Sequence, residues 1–266
     1  MLDVSRRRPP VVVMIVAGIT VAFITIPLIG LLAKVSWSTL WSDITSRAAL
    51  DALGLSLVCS LWAVALSLLF GVPLAWVLAR TDFAGRSLVR ALATLPMVLP
   101  PVVGGVALLL AFGRDGILGR PLFDLFGIQL TFTTAGAVMA ETFVAMPFLV
   151  ITVEAALRSV HPRFEEAAST LGAGRWTTFR RVTLPTIAPS LIAGSALTWA
   201  RALGEFGATI TFAGNIQGRT QTLPLAVYVA LEGNEHVAIA LSMALLAVSI
   251  AVLVALRSWW LGAIRP

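Results

Sequence analysis

The residues best placed to do chemistry are Arg201 and Glu205, a cation and an anion one helical turn apart in an otherwise apolar stretch. Ionisable side chains at membrane depth usually face a protein interior or an aqueous path, which makes them functional candidates. Their spacing also lets them pair on a helix. Two interpretations are open. Either the two residues act in an anion pathway or gate, where Glu205 neutralises Arg201, or they form a purely structural ion pair.

The other reactive side chains are scattered along the chain. The two histidines, His161 and His236, fall in loops on opposite sides of the membrane, and the single cysteine, Cys59, lies in an apolar run. This arrangement predicts neither a metal site nor a catalytic nucleophile. The only lysine, Lys34, does not follow the glycines of a P-loop, so that route to ATP hydrolysis is closed. We therefore expect a chain without a cofactor that is not itself an enzyme.

The elements that hold these residues are predicted to be membrane helices. Apolar residues make up 58% of the chain and charged residues only 12%, against about 25% charged in soluble domains. A helix needs about 20 apolar residues to cross a bilayer. The predicted spans are residues 11–35, 54–79, 90–112, 132–157, 190–213 and 237–256. The sequence thus predicts an all-α integral membrane protein with six transmembrane helices, folded as a single domain over residues 1–266.

The distribution of basic residues predicts the orientation, because loops rich in Lys and Arg stay cytoplasmic. Five basic residues fall on one side of the six spans: Lys34, Arg47, Arg114, Arg120 and Arg219. Thirteen fall on the other: Arg6, Arg7, Arg8, Arg80, Arg86, Arg90, Arg158, Arg163, Arg175, Arg180, Arg181, Arg257 and Arg265. We therefore place both termini in the cytoplasm of a multi-pass cell-membrane protein. Attraction to anionic lipid accounts for the net charge of +6 without nucleic acid.

Prolines and glycines interrupt the third predicted span. Pro100, Pro101 and Gly104 lie within it, close to Pro96 and Gly105. A broken helix is tolerated in a membrane where its freed backbone is buried in protein or lines a water-filled cavity. The pattern predicts either a broken helix beside a translocation pathway or a simple structural kink.

The longest cytoplasmic segment, residues 158–189, carries five arginines against two glutamates. Pro162 suits a first helical turn, and Gly172 suits the left-handed residue that ends a helix. A second short helix is predicted over residues 175–182, stopped by Pro185 and Pro189. Two interpretations of this segment are open. It is either a rigid projection that another protein binds, or an interfacial helix lying on lipid headgroups.

This segment resembles the cytoplasmic coupling loop of the permease subunits of ABC importers, which reads Glu-Ala-Ala, then Gly, then a hydrophobic residue and Leu-Pro. In that family the loop docks into a cleft of the ATPase subunit. The resemblance assigns ATPase coupling to Glu165, Glu166, Ala167, Ala168, Leu171, Gly172, Ala173, Phe179, Leu184 and Pro185. It implies the architecture of a type I importer permease, with ATP hydrolysed in a partner subunit.

Three further stretches, residues 71–86, 95–119 and 201–228, resemble the molybdate and sulfate branch of these permeases. Within it, "GEFGATITFAGNIQGRTQTLPLAVY" is closer to molybdate permeases. The resemblance implies import of molybdate, with tungstate as a related substrate and sulfate or thiosulfate as the alternative. It also implies two copies of this chain, two ATP-binding cassette subunits and one extracytoplasmic oxyanion-binding protein, in contact with membrane lipid.

A rival interpretation is a secondary transporter driven by an ion gradient. In that case Glu141 and Glu205 would be the proton or cation sites, and transport would need no ATPase. An enzyme acting within the membrane is a more distant alternative, because the usual groupings of His, Asp or Ser are missing from the sequence.

Overall fold

A computed structural model describes residues 10–262 of the chain. Arg6, Arg7, Arg8 and Arg265, which entered the orientation argument, lie outside the described residues, as does the side chain of Arg257. The described part is all-α, as the composition predicted. Its helices in chain order are α1 (Val11–Ala33), α2 (Leu40–Ile44), α3 (Arg47–Leu66), α4 (Val72–Arg80), α5 (Arg86–Val98), α6 (Pro101–Phe112), α7 (Gly119–Phe126), α8 (Thr134–Ser159), α9 (Pro162–Thr170), α10 (Arg175–Thr178), α11 (Leu184–Leu203), α12 (Gly207–Phe212), α13 (Leu223–Gly233) and α14 (Glu235–Gly262).

Five continuous helices among the described residues are long and apolar enough to cross a bilayer. They are α1, the 34-residue helix Arg47–Arg80, α8, the 29-residue helix Arg175–Leu203 and α14. The pair α5 and α6, which meets at an angle of 118°, makes a sixth span when the two helices are counted as one broken span. The six-span prediction is therefore confirmed with the third span as a broken helix. Pro100 and Pro101 cause the break, since neither can donate the backbone hydrogen bond that would continue α5.

Two of the spans contain a π-helical turn that ends two positions before a proline. The turn Ser67–Gly71 precedes Pro73 in the second span, and the turn Phe179–Thr183 precedes Pro185 in the fifth. A π turn shifts the hydrogen-bonding register of a helix, and this leaves room for a residue without an N–H group. Both spans therefore continue through their prolines.

The prediction that Pro185 and Pro189 stop a short helix at residue 182 was therefore wrong. The helix that begins at Arg175 runs on to Leu203, with Pro189 inside it. The predicted end of this span was also wrong. The helix ends at Leu203, and the residues up to 212 form the separate short helix α12 after a break at Gly204–Phe206.

Helix α8 forms the centre of the bundle and packs against α3, α4 and α11. Leu149, Val153 and Leu157 on α8 are buried against Leu78 of α4 and Ile187 of α11. Nearer the start of α8, another cluster consists of three fully buried alanines, Ala63, Ala145 and Ala202. Small residues at such a contact let helices approach closely, which is the usual mode of packing in membranes.

Candidate functional site

Helix α9 follows the fourth span and has well-defined ends. The His161 ring nitrogen Nδ1 accepts a hydrogen bond from the backbone of Arg163 at its start. At its end, Gly172 adopts a left-handed φ of +82°, and the Ala173 N–H donates to the carbonyl of Ala168 at 3.0 Å. This six-to-one bond around a left-handed glycine is a Schellman ending. The helix start and the terminating glycine that the sequence predicted are both confirmed.

The side chains of α9 are poorly buried. From Arg163 to Thr170 each one is exposed or half-buried. Glu166 and Ala167 are exposed, and Leu171, the residue after the helix, is 88% exposed. A single exposed apolar side chain is common on a protein surface. The outer side of α9 thus exposes a charge and an apolar group.

Glu165 points the other way, toward the ends of two spans. Its Oε1 accepts a hydrogen bond from Nη2 of Arg80, the last residue of α4, at 2.8 Å. The same oxygen accepts a hydrogen bond from Oγ1 of Thr183, at the end of the π turn before α11, at 2.9 Å. We call these three residues the Glu165 clamp. It joins α9 to the second and fifth spans.

Arginines also join other helices at this end of the bundle. Glu154 of α8 is bridged by Arg90 of α5 at 2.7 Å and by Arg158 at 2.8 Å. The Arg86 Nε donates to the carbonyl of Leu78 near the end of α4 at 2.9 Å. The predicted cytoplasmic arginines of α4, α5 and α8 therefore gather at one end, where they bind carboxylates and helix-terminal carbonyls.

The remaining predicted coupling residues lie between α9 and α11. Ala168, Ala173, Phe179 and Leu184 are half-buried, while Pro185 is exposed in the first turn of α11. The Phe179 ring stacks on Trp176 with 5.8 Å between ring centroids. The predicted set thus lies on α9, the glycine turn and the start of the fifth span, with some members exposed and others half-buried.

The second group of predicted residues lies at the far end of α11. Arg201 Nη2 and Glu205 Oε2 form an ion pair at 2.6 Å, and Glu205 Oε1 accepts a hydrogen bond from the Ala208 N–H at 2.8 Å. The Glu205 side chain is 1% exposed and that of Arg201 is 27% exposed. Glu205 therefore both neutralises Arg201 and fixes the start of α12 against the end of α11.

The breaks in the third and fifth spans meet at this end. A Cβ atom built on Gly207 of α12 would lie 2.9 Å from Cβ of Pro101, and one on Gly105 of α6 would lie 2.9 Å from the Ala208 carbonyl oxygen. A Cβ on Gly104 would lie 3.1 Å from the ring of Phe143. Only glycine permits such close approach of the two backbones. Pro101 therefore lies against α12, which begins two residues after Glu205. Gly104 is buried, whereas Pro100 and Pro101 are both exposed at the break.

Arg80 and Thr183 were missed as candidate site residues. The contact between Arg80 and Glu165 spans 85 positions of sequence, and Arg80 looks like any basic residue at the end of a membrane span. A signal was present in the position of Arg80, since it ends a span on the same predicted side as Glu165. However, lying on the same side of the membrane does not show which carboxylate on that side Arg80 contacts.

Six spans, a central fourth helix and a short exposed helix between the fourth and fifth spans define the type I permease fold of ABC importers. The chain belongs to the family of binding-protein-dependent transport system inner membrane components, whose model matches residues 71–266. It is thus an integral inner-membrane transport protein.

Its relatives include the molybdenum transport system permease protein ModB of Mycobacterium tuberculosis, 46% identical over 88% of both chains. The ModB protein of Escherichia coli K12 is 44% identical over 80% of this chain and 93% of its own length. The sulfate transport system permease protein CysT of Escherichia coli K12 is 39% identical over 85% and 82% of the two chains.

The fold is also similar to those of solved transporters. A chain of a bacterial ABC transporter involved in the import of the acidic polysaccharide alginate matches 95% of this chain and 95% of its own length, with a TM-score of 0.74 and 21% identity. A chain of the MetNI methionine ABC transporter, in an inward-facing conformation, matches 84% and 99% of the two chains with a TM-score of 0.57 and 20% identity. At this level of identity the similarity establishes the fold.

Proposed function

We propose that this chain is the membrane-spanning subunit of an ATP-driven molybdate importer. The assignment of molybdate as the substrate rests on the 46% identity to a molybdenum transport permease over 88% of both chains. Tungstate, an oxyanion of the same charge and shape, is the related substrate. The chain forms the translocation pathway, and ATP is hydrolysed by a partner subunit.

The complete transporter contains two copies of this chain, two cytoplasmic ATP-binding cassette subunits and an extracytoplasmic oxyanion-binding protein, within membrane lipid. Both termini lie in the cytoplasm, the side on which the arginines of α4, α5, α8 and α9 gather. Support for a binding protein comes from the family description and from the similarity to a transporter solved with its periplasmic protein. The second copy rests on the resemblance to importers that use two membrane subunits, since one chain has six spans.

Helix α9 and the turn after it bind the ATPase. The exposed Glu166 and Leu171 offer a charge and an apolar group, while Gly172 sets the direction in which the chain leaves the helix. When ATP draws the two ATPase subunits together, the two α9 helices move with them. The spans then rotate from an inward-open to an outward-open arrangement, an alternating-access movement of rigid groups of helices.

The far end of α11 contributes to the pathway. Arg201 is the one cationic side chain near the helix breaks that the sequence places within a span, and 27% of it remains exposed. Its pairing with the buried Glu205 lowers the attraction for a dianion. Weak attraction is useful here, because the binding protein captures the oxyanion and the spans must release it. Pro100, Pro101 and Gly104 keep the third span broken beside this pair.

The experiment that tests this proposal is uptake of labelled molybdate and labelled sulfate at nanomolar concentration, in cells lacking this chain and in the same cells with it restored. We expect restored molybdate uptake that excess sulfate does not compete away and that stops when the ATPase is inactivated. Uptake that persists without the ATPase would contradict the proposal and favour a gradient-driven transporter.

A sulfate importer is the second candidate, since the chain is 39% identical to a sulfate permease. The same uptake experiment separates the two. Restored sulfate uptake, with molybdate uptake abolished by excess sulfate, would assign the chain to the sulfate branch. The coupling mechanism through α9 would be unchanged by that result.

A further inference from the structure

The attachment of α9 to the bundle is unusual for a helix that has to transmit force. A helix normally docks through a buried apolar stripe, yet the side chains of α9 from Arg163 to Thr170 are exposed or half-buried. A cavity of about 370 Å³ lies beneath it, lined in part by Ser169, Thr178 and Thr183. Apolar packing therefore contributes little to fixing α9 against the spans.

The Glu165 clamp supplies the missing attachment. The side chains of Arg80 and Glu165 are 17% and 29% exposed, and Thr183 is 2% exposed, so both contacts of the clamp are largely sheltered from water. Hydrogen bonds to a charged group are roughly twice as strong as neutral ones. The Arg80 Nε is buried and has no hydrogen-bond partner among the described residues, so Arg80 depends on its bond to Glu165.

We propose that Glu165 is a positioning residue that transmits the movement of α9 to the second and fifth spans, in addition to the fourth span to which the chain joins it. The chain connects α9 to the fourth span through His161, Arg80 connects it to the second span, and Thr183 connects it to the fifth. Without the clamp, α9 would be connected to the bundle only by the chain itself. A short loop joins it to the fourth span, and a glycine-rich turn joins it to the fifth. This inference rests on the proposed function, because it assumes that the ATPase moves α9.

The test uses the assembled transporter in proteoliposomes with the binding protein, and measures molybdate imported per ATP hydrolysed. Loss of folded protein lowers import and hydrolysis together and leaves this ratio unchanged, whereas loss of coupling lowers it. Arg80→Glu places a like charge against Glu165 and should lower the ratio roughly tenfold. The double variant Arg80→Glu with Glu165→Arg restores opposite charges and should recover the ratio to within about threefold of wild type.

A milder variant and a matched control complete the design. Thr183→Val removes one hydrogen bond while nearly keeping the side-chain volume, and should lower the ratio roughly threefold. Asp82→Ala breaks the exposed pair of Asp82 with Arg86 at the same end of the second span and should not change the ratio.

A wild-type ratio in both Arg80→Glu and Thr183→Val would overturn the clamp, as would a double variant no better than Arg80→Glu alone. Failure of the proposed function would look different. In that case the wild-type chain would import molybdate without ATP, or would not retain the ATPase on purification.

Discussion

The two ends of α11 are held in opposite ways. At its start, Thr183 belongs to a clamp of polar and charged side chains that are largely sheltered from water. About 27 Å along the helix, Arg201 and Glu205 lie beside a contact in which glycines bring two backbones together. Hydrogen bonds to one carboxylate hold the start of α11, whereas close-packed backbones, which deform little, hold its end. The comparison distinguishes an end attached through a few polar side chains from an end fixed by backbone contact.

The largest expected effect is at the rigid end. Glu205→Ala leaves Arg201 without its carboxylate and the Ala208 N–H without its acceptor, which should lower the free energy of unfolding by about 3 kcal/mol. Thermal stability in detergent, followed by size-exclusion chromatography, measures the loss. The control is Asp124→Ala, which breaks the exposed pair with Arg120 and should change stability by less than about 0.5 kcal/mol. Equal stability of the two variants would show that the buried pair is dispensable.

A second change tests the glycine contact itself. In Gly105→Ala the new methyl group would lie 2.7 Å from Cβ of Thr211 and 2.9 Å from the Ala208 carbonyl oxygen. Overpacking of this kind should destabilise the protein by about 2 kcal/mol. Gly54→Ala is the matched control, because it lies in α3 with no atom within 4 Å of the added carbon. A Gly105→Ala variant as stable as Gly54→Ala would argue that α6 and α12 separate easily.

At the α9 end, substitutions should affect partner binding more than folding. Gly172 has a φ of +82°, so Gly172→Val should cost about 1–2 kcal/mol locally and redirect the chain after α9. We expect much less ATPase to co-purify with this variant. Gly174→Ala, two residues away at a φ of −69° with open space around it, should retain the ATPase. If both variants retain wild-type amounts of ATPase, the turn takes no part in docking.

The smallest effect on stability is expected for Glu166→Lys. This residue is exposed near the start of α9, where the helix dipole favours negative charge, so reversal should cost less than about 1 kcal/mol. Co-purification of the ATPase should nevertheless fall, because the reversed charge lies on the docking surface. Unchanged co-purification in this variant together with Gly172→Val would contradict the assignment of α9 as the ATPase-binding element.

The sequence predicted the parts of the fold that depend on local pattern. Apolar runs located the spans, Pro100 and Pro101 predicted either a break or a kink in the third span, and Gly172 predicted the end of α9. Each of these follows from residues close together in the chain. The same local reasoning failed at Pro185, because the π turn that accommodates it has no recognisable pattern in the residues themselves.

The contacts that join the spans could not be predicted in the same way. Glu165 contacts Arg80, which lies 85 positions away in the sequence. Gly207, after the fifth span, lies against Pro101 in the third span. Both pairings depend on how the helices are arranged, which periodicity does not specify. Glu205 was expected to face a protein interior or an aqueous path, and its pairing with Arg201 was foreseen from their spacing. Its second partner, the Ala208 N–H, exists only because α12 begins where it does.

The central claim is that this chain converts ATP hydrolysis into molybdate import. The most direct measurement is accumulation of labelled molybdate in proteoliposomes that contain the chain and its ATPase, with ATP supplied on the ATPase side and the binding protein on the other. Each component is then omitted in turn. We predict accumulation only when the chain, ATPase, ATP and binding protein are all present. Accumulation without the ATPase, or accumulation of sulfate in preference to molybdate from the complete system, would contradict the account.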